Sequence, residues 1–382
     1  MESKHPIFLD FNSTTPVDPA VLEEMIPFFN IHFGNPASIT HLPGRYASDA
    51  VETARKRVSA FLNCEPGEII FTSGSTESAN MAISGIAEAY KVKGNHIITW
   101  ATEHPAVLES CSNLLNKGFE VTVLPVNREG LPDLHELNKN IKKETILVAA
   151  MLANNETGVI FPIKEISAIV HDHQSLLFCD ATQAPGKMRV DVNDLGADLL
   201  CISGHKMYGP KGTGALFVRR KNPRVKIAPL LFGGGHENGL RSGSLNVPGI
   251  VGMGKAASVC MKRYWDDTSS MSYLRTILEQ ALTDNGRGYV NGSIKNRIPN
   301  TTSICFPGIK AATLLTKIPQ IALATGSACS SALPSPSHVL KAMGMSEDEC
   351  YSSVRFSLGR STHKDEILTT IATLNSFFDA SV

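Results

Sequence analysis

Lys206 follows the apolar run Leu199-Leu200-Cys201-Ile202 almost directly, within Ser203-Gly204-His205-Lys206. Most lysines are simply solvated. One partly withdrawn from water has a lowered pKa and becomes a nucleophilic amine able to form a Schiff base. Asp180 ends a second apolar run, Leu176-Leu177-Phe178-Cys179. A carboxylate there is costly unless a cation or hydrogen bonds meet it. Capping a following helix is the plainer alternative. Thr72-Ser73-Gly74-Ser75-Thr76-Glu77 precedes a helical pattern, so the hydroxyls of Ser75 and Thr76 and the free N–H groups of a helix start could cup a phosphate. An ordinary N-cap reads equally well. In Thr102-Glu103-His104-Pro105, Pro105 suits a first helical turn and sets His104 at its entrance, as a functional or a structural histidine. Cys329 stands among Gly326, Ala328, Ser330 and Ser331, which leave little to anchor a loop by packing. A free thiol with a pKa of about 8.5 is only a few per cent ionised at neutral pH, so a reactive Cys329 needs a nearby base or cation. His104 is one candidate.

These residues need a scaffold that brings them together. Strand-like runs occur at Glu68 to Thr72, His96 to Trp100, Phe119 to Pro125, Ile146 to Leu152, Leu176 to Asp180, Leu199 to Ser203 and Gly214 to Arg219. Most are separated by enough chain for a helix. The pattern predicts an α/β fold whose large domain has a mostly parallel seven-stranded sheet covered on both faces. Ligands bind at the carboxyl ends of such strands, where all the polar segments above stand. From about residue 262 the pattern changes. Ser269 to Leu282 reads as a helix, Thr302 to Phe306 as a strand, and Thr362 to Phe378 as a closing helix capped by Thr362. The expected division is a large α/β domain over 15–261 and a smaller α+β domain over 1–14 and 262–382, carrying a mobile cysteine loop at about 324–336.

The balance of 36 Lys+Arg against 36 Asp+Glu argues against a polycation built for nucleic acid. Arg219-Arg220-Lys221, Arg224 and Lys226 read as a solvated face, and direct nucleic-acid binding is not expected. The start of the chain shows no signal peptide and no apolar run is long enough to span a membrane, so a cytoplasmic protein is expected. The eight cysteines form no CxxC pair, and those other than Cys329 read as small buried residues. His171-Asp172-His173 reads as a wet loop rather than a metal site, and no metal is expected. Gly209 to Gly214 is not a P-loop, because Ala215 follows Gly214 where a lysine is required.

A phosphate cup, an aspartate and a lysine at neighbouring strand ends match the needs of pyridoxal 5′-phosphate. Lysine holds its aldehyde as an imine, and aspartate keeps the pyridine nitrogen protonated so that the ring draws in charge. His104 could stack on the ring.

The chain also resembles the class V branch of fold-type I pyridoxal-phosphate enzymes, and within it the group I cysteine desulfurases of the NifS/IscS kind, over about residues 7–378. The motifs include Phe33-Gly34-Asn35-Pro36-Ala37-Ser38, Phe71 to Ser78, Thr102-Glu103-His104, Asn154-Asn155-Glu156-Thr157-Gly158, Asp180-Ala181-Thr182-Gln183, Ser203-Gly204-His205-Lys206, Arg241-Ser242-Gly243-Ser244, Gly326 to Ser331 and Arg355 to Arg360. The resemblance implies conversion of L-cysteine to L-alanine, with a persulfide left on Cys329 and passed to a sulfur-acceptor protein. It implies that Lys206 carries the cofactor, with Asp180 on the pyridine nitrogen and Gln183 on the phenolic oxygen. Ser75, Thr76, Ser203 and His205 would bind phosphate, with Ser244 reaching the twin's cofactor in a homodimer. Asn155 and Arg355 would hold the substrate. Lys206 or His104 would remove the α-proton.

Ser244 and Ser330 replace more usual threonines, and Asn12-Ser13 replaces a more usual pair with no consequence visible in sequence. The chain ends soon after its last predicted helix, where relatives feeding an iron–sulfur scaffold often carry a longer tail. Iron–sulfur cluster assembly, tRNA thiolation and DNA phosphorothioation all stay open. Selenocysteine lyase and class V aminotransferase are the alternative activities, and the Gly-Ser-Ala-Cys loop argues against the aminotransferase. A non-enzymatic scaffold would lack one of the key side chains, and all are present.

Overall fold

The computed structural model describes residues 6–284, 286–325 and 336–380. Its centre is a seven-stranded sheet in the order Ile69–Thr72, Gly214–Val218, Leu199–Ser203, Leu176–Asp180, Thr145–Met151, His96–Trp100 and Glu120–Leu124. Gly214–Val218 runs antiparallel to both neighbours, and every other pairing is parallel. The four central apolar strands are buried at every residue because helices cover both faces. Each fully buried Leu or Phe there contributes about 1.5–3 kcal/mol relative to exposure.

Two cores line the two faces of the sheet, and a third packs around the C-terminal half of the chain. That third core surrounds an antiparallel sheet of Tyr289–Val290, Thr301–Cys305 and Ser353–Ser357. The N-terminal strand Ile7–Phe8 pairs in parallel with Ile321–Ala322, and Asp10 bridges to Ser357. The chain therefore carries residues 9–15 past the carboxyl edge of the large sheet, where Thr15 N donates to His205 O at 2.9 Å.

Three local expectations are corrected. Ser269 to Leu282 is only the end of a 37-residue helix, Val247–Thr283, which runs unbroken through residue 262. Its first half packs into one core of the large sheet and its second half into the C-terminal core. Gly254 permits this, since a Cβ there would lie 2.6 Å from Ala54 Cα on the neighbouring helix Leu42–Leu62. The last helix is Lys364–Asp379 and is capped by His363 with Glu366 in a capping box, while Thr362 Oγ1 accepts from Gly359 N instead. His171 is not in a wet loop. It belongs to the helix Ile163–Asp172 and bonds the buried Asp198 at 2.9 Å, which lifts its pKa because the carboxylate favours the charged ring.

Candidate active site

The carboxyl ends of the strands open on a cavity of about 520 Å³. Ser75 and Thr76 line one end, where the strand Ile69–Thr72 turns into the helix Ser75–Tyr90. Gly74 stands at the N-cap, so no side chain caps the first turn. Gly214 lets the backbone close in beneath, since a Cβ there would meet Gly74 Cα at 2.6 Å. Glu77 would oppose an anion at this helix start, but it is already engaged. Its carboxylate accepts from Ser73 N at 2.9 Å and from Arg241 Nε at 2.8 Å. Burial pushes Glu77 up, but the bonds from Arg241 and Ser73 outweigh it and hold the carboxyl below its usual range. The net local field therefore still suits a phosphate.

Ser203 and His205 stand beside this cup at the end of Leu199–Ser203. Burial, then the nearby Lys206, Lys211 and Lys187, bring His205 down to about 4. It is a neutral ring near neutral pH, and it touches Thr14 Oγ1 through Nδ1 at 3.1 Å.

Asp180 ends its strand nearly buried and caps no helix. Its Oδ1 accepts from Thr182 N at 2.9 Å and from Cys201 Sγ at 3.4 Å, and it also meets Thr182 Oγ1. Thr182 Oγ1 lies 2.6 Å from Ser75 Oγ and so ties the aspartate to the cup. Sequence reading quoted Thr182 but gave it no part.

His104 caps the helix Pro105–Leu115, as Pro105 predicts. Burial lowers its pKa, Asp180 opposes this, and Lys206 and His338 add to the lowering. Its Nδ1 accepts from Ala106 N at 3.1 Å. A backbone N–H can only donate, so the neutral ring carries its proton on Nε2. In this arrangement Nδ1 is occupied, and the N–H on Nε2 is a donor in a residue that lines the cavity.

Lys206 lies in the short turn Gly204–Lys206 and is half-buried. Its Nζ donates to Asn12 O at 2.5 Å and to Ser13 O at 2.7 Å. Arg355, from the strand Ser353–Ser357, donates to Asn155 O at 2.9 Å and to Asp10 Oδ1 at 2.5 Å. Its buried Nε has no partner among the described residues. Asn155, Gln183 and Arg355 complete the wall around Lys206.

Asn12 sits beneath all of them and has the consequence that its sequence did not disclose. Its Oδ1 accepts from Lys187 Nζ and Asn300 Nδ2, each at 3.1 Å, and its Nδ2 donates to Thr301 Oγ1 and Asn155 O. Its backbone oxygen accepts from Gln183 Nε2 at 3.1 Å as well as from Lys206. Asp10, Asn12 and Lys187 were missed by sequence reading. Their partners are as many as 345 residues away, and no local pattern marks them.

Ser244 does not join this cavity. It is exposed and lines a separate hollow with His32, Phe33 and Asn35. Cys329 lies outside the described residues. The chain re-enters them at Pro336, where Ser337 Oγ donates to the buried Glu156 Oε2 and His338 Nε2 donates to Glu103 O at 2.9 Å. Arg219 leaves the predicted solvated face, since its guanidinium binds the oxygens of Val192 and Ala197. Among the described residues, no three His, Cys, Asp or Glu side chains gather as a metal site. Of the seven described cysteines, six are buried and Cys64 is partly so.

The donor set suits pyridoxal phosphate: a carboxylate set for a ring nitrogen, an amine set for an aldehyde, an open helix start for phosphate, and an orphaned guanidinium N–H for a carboxylate.

Comparison with known proteins agrees with this arrangement. The aminotransferase class-V family model matches residues 7–369. A probable mitochondrial cysteine desulfurase of Dictyostelium discoideum is 47% identical over 97% of this chain and 82% of that protein. A cysteine desulfurase IscS of an Anaeromyxobacter species is 48% identical over 95% of this chain and 90% of that protein. A solved NifS-like protein superposes with a TM-score of 0.90 at 37% identity, over 97% of this chain and all of that one.

Proposed function

The chain belongs to the aminotransferase class-V family, as a pyridoxal-phosphate-dependent cysteine desulfurase of group I, and from that premise we propose how its residues divide the work. The observation that carries the proposal is the convergence of Lys206, Asp180 and an uncapped helix start on one cavity beside the orphaned Nε of Arg355. When bound, pyridoxal phosphate supplies an electron sink for charge developing at the α-carbon of the substrate.

Lys206 is the tethering amine, and once released it is also the base that takes the α-proton. The hydrogen bond that its Nδ1 accepts from Ala106 N argues against His104 in that second task. His104 serves instead as a neutral donor and as a wall for the ring. Asp180 keeps a proton on the ring nitrogen, and the hydrogen bonds gathered on its Oδ1 fix its direction. Gln183 donates to the phenolic oxygen. Ser75, Thr76, Ser203 and His205 receive the phosphate. Arg355 grips the substrate carboxylate beside Asn155, and Asp10 holds the guanidinium in place.

Cys329 takes the sulfur. The C–S bond of L-cysteine breaks and leaves its electron pair on carbon, which is protonated to give L-alanine. An S–S bond forms on Cys329, and a sulfur-acceptor protein then takes the terminal sulfur. Reduced thiols are required at both steps, so we place the protein in a reducing compartment, the cytoplasm. No described helix is long and apolar enough to cross a membrane. Two copies work together. Phe33 stands largely exposed in the hollow that holds Ser244, the kind of apolar surface that a partner subunit covers.

Mass spectrometry after treatment with L-cysteine tests the reading. One sulfur should be added to Cys329 in the wild type and none in Cys329→Ser, while that variant keeps the cofactor's visible absorbance. A Cys329→Ser protein that releases sulfide at the wild-type rate overturns the assignment.

A further inference from the structure

We propose that Lys187 is a positioning residue for the reaction: it fixes which end of the Gln183 amide faces the cavity and, through Asn12, where the amine of Lys206 rests. The inference rests on the reading of Gln183 as the donor to the cofactor's phenolic oxygen.

Lys187 follows Ala184-Pro185-Gly186, a turn in which a lysine would ordinarily be solvated. Here it is 5% exposed, and its Nζ makes two bonds, to Gln183 Oε1 at 2.7 Å and to Asn12 Oδ1 at 3.1 Å. A primary amine has two N–H donors even when uncharged, so both contacts persist in either protonation state. The orientations of both amides follow. Asn12 Nδ2 is committed to two acceptors, Asn155 O and Thr301 Oγ1, which turns its Oδ1 toward Lys187. Gln183 Nε2 donates to Asn12 O, a carbonyl that can only accept, which turns its Oε1 toward Lys187. Without Lys187 the Gln183 amide loses the contact that penalises a flip. Flipped, it would present an acceptor to a ligand oxygen that needs a donor.

The same contacts reach Lys206. Its Nζ rests on Asn12 O, and Lys187 and Asn300 hold Asn12 through Oδ1. Burial holds the Lys187 amine well below the usual lysine range, and Lys206 and Arg355 push in the same direction against a weak opposing effect of Cys260. These groups face Lys187 from the turn after Leu199–Ser203, from the strand Ser353–Ser357 and from the long helix. A lysine kept in so unfavourable a place points to a requirement for its two donors rather than its charge.

The test is Lys187→Met, with Lys187→Leu as a second apolar variant should the first not fold, and Gln183→Leu as the comparison. Apoprotein is titrated with pyridoxal phosphate, the visible absorbance of the loaded protein is followed against pH, and thermal unfolding of the apoprotein is recorded. The Lys187 variant and Gln183→Leu are both expected to bind the cofactor about 10-fold more weakly, the equivalent of one hydrogen bond to a charged oxygen. In both, the pH midpoint of the visible band should move up by about one unit, because the anionic ligand oxygen has lost its donor. A purely structural lysine would alter thermal unfolding and leave both readouts at wild type. That result, with Gln183→Leu still shifted, overturns the proposal and spares the reading of Gln183. If Gln183→Leu also leaves the midpoint and the affinity unchanged, the reading of Gln183 fails and the proposal falls with it.

Discussion

Around Asn12 the chain satisfies itself: one asparagine bonds Lys187, Asn155, Gln183, Lys206, Asn300 and Thr301, drawn from segments hundreds of residues apart. About twenty residues further along, the chain does the opposite. Phe33 and Leu42 are 75% and 73% exposed, and Phe33 lines the hollow that also holds Ser244. The floor of the cavity is buried, polar and hydrogen-bonded within one chain. The flank is apolar and unfinished. The contrast teaches where each part of the function must come from. Geometry for proton and charge handling is built internally, where low dielectric makes every hydrogen bond count. The exposed flank is where we propose that a second copy docks.

Substitution of the floor residue should break the comparison most severely. Asn12→Leu removes one hydrogen bond each from the buried Lys187, Asn300 and Thr301, which keep their bonds to Gln183, Leu358 O and Asn300, so a loss of roughly 3 kcal/mol in denaturant unfolding of the apoprotein is expected. A loss below about 1 kcal/mol shows that the network is decorative.

A further effect comes from Glu156, buried at the edge of the same region. Burial raises its pKa to about 7, against the opposing Ser337 hydrogen bond and the Arg355 charge. The folded state therefore binds this proton more tightly than the unfolded chain. The contribution is fully present below about pH 4.5 and is lost as pH rises through about 7, at a cost on the order of 3 kcal/mol. Unfolding measured from pH 5 to 8 should show this slope, and Glu156→Gln should flatten it. An unchanged slope in the variant assigns the effect elsewhere.

The flank should respond least in the fold and most in assembly. Phe33→Asp is expected to change the stability of the single chain by no more than about 0.5 kcal/mol. Sedimentation should nonetheless show dissociation of a wild-type dimer. A variant that stays dimeric moves the partner surface elsewhere.

How much of this was legible in the sequence follows from the range of the interactions. Six of the seven strands were readable because burial on both faces leaves a mostly apolar run, while the seventh, Glu120–Leu124, is a partly exposed edge, and the strand ends located Asp180, Lys206 and the cup. His104 was placed by Pro105, a strictly local signal. Asn12, Asp10 and Lys187 were not readable. Their work depends on contacts across the whole chain, and Lys187 sits in a turn that looks like surface. Residue 262, where the sequence pattern changes, falls inside a helix, because one helix can serve two cores with successive stretches of its length.

That shared helix has a mechanical consequence. Residues 255–283 contain neither glycine nor proline, so the rod has no built-in joint where it passes from one core to the other. Tilting one half of the molecule against the other would require bending a beam embedded in both. Reshaping of the catalytic chamber during turnover is thereby steered toward side chains and the segments around its mouth, while the frame on which Lys206 and Arg355 face each other stays stiff.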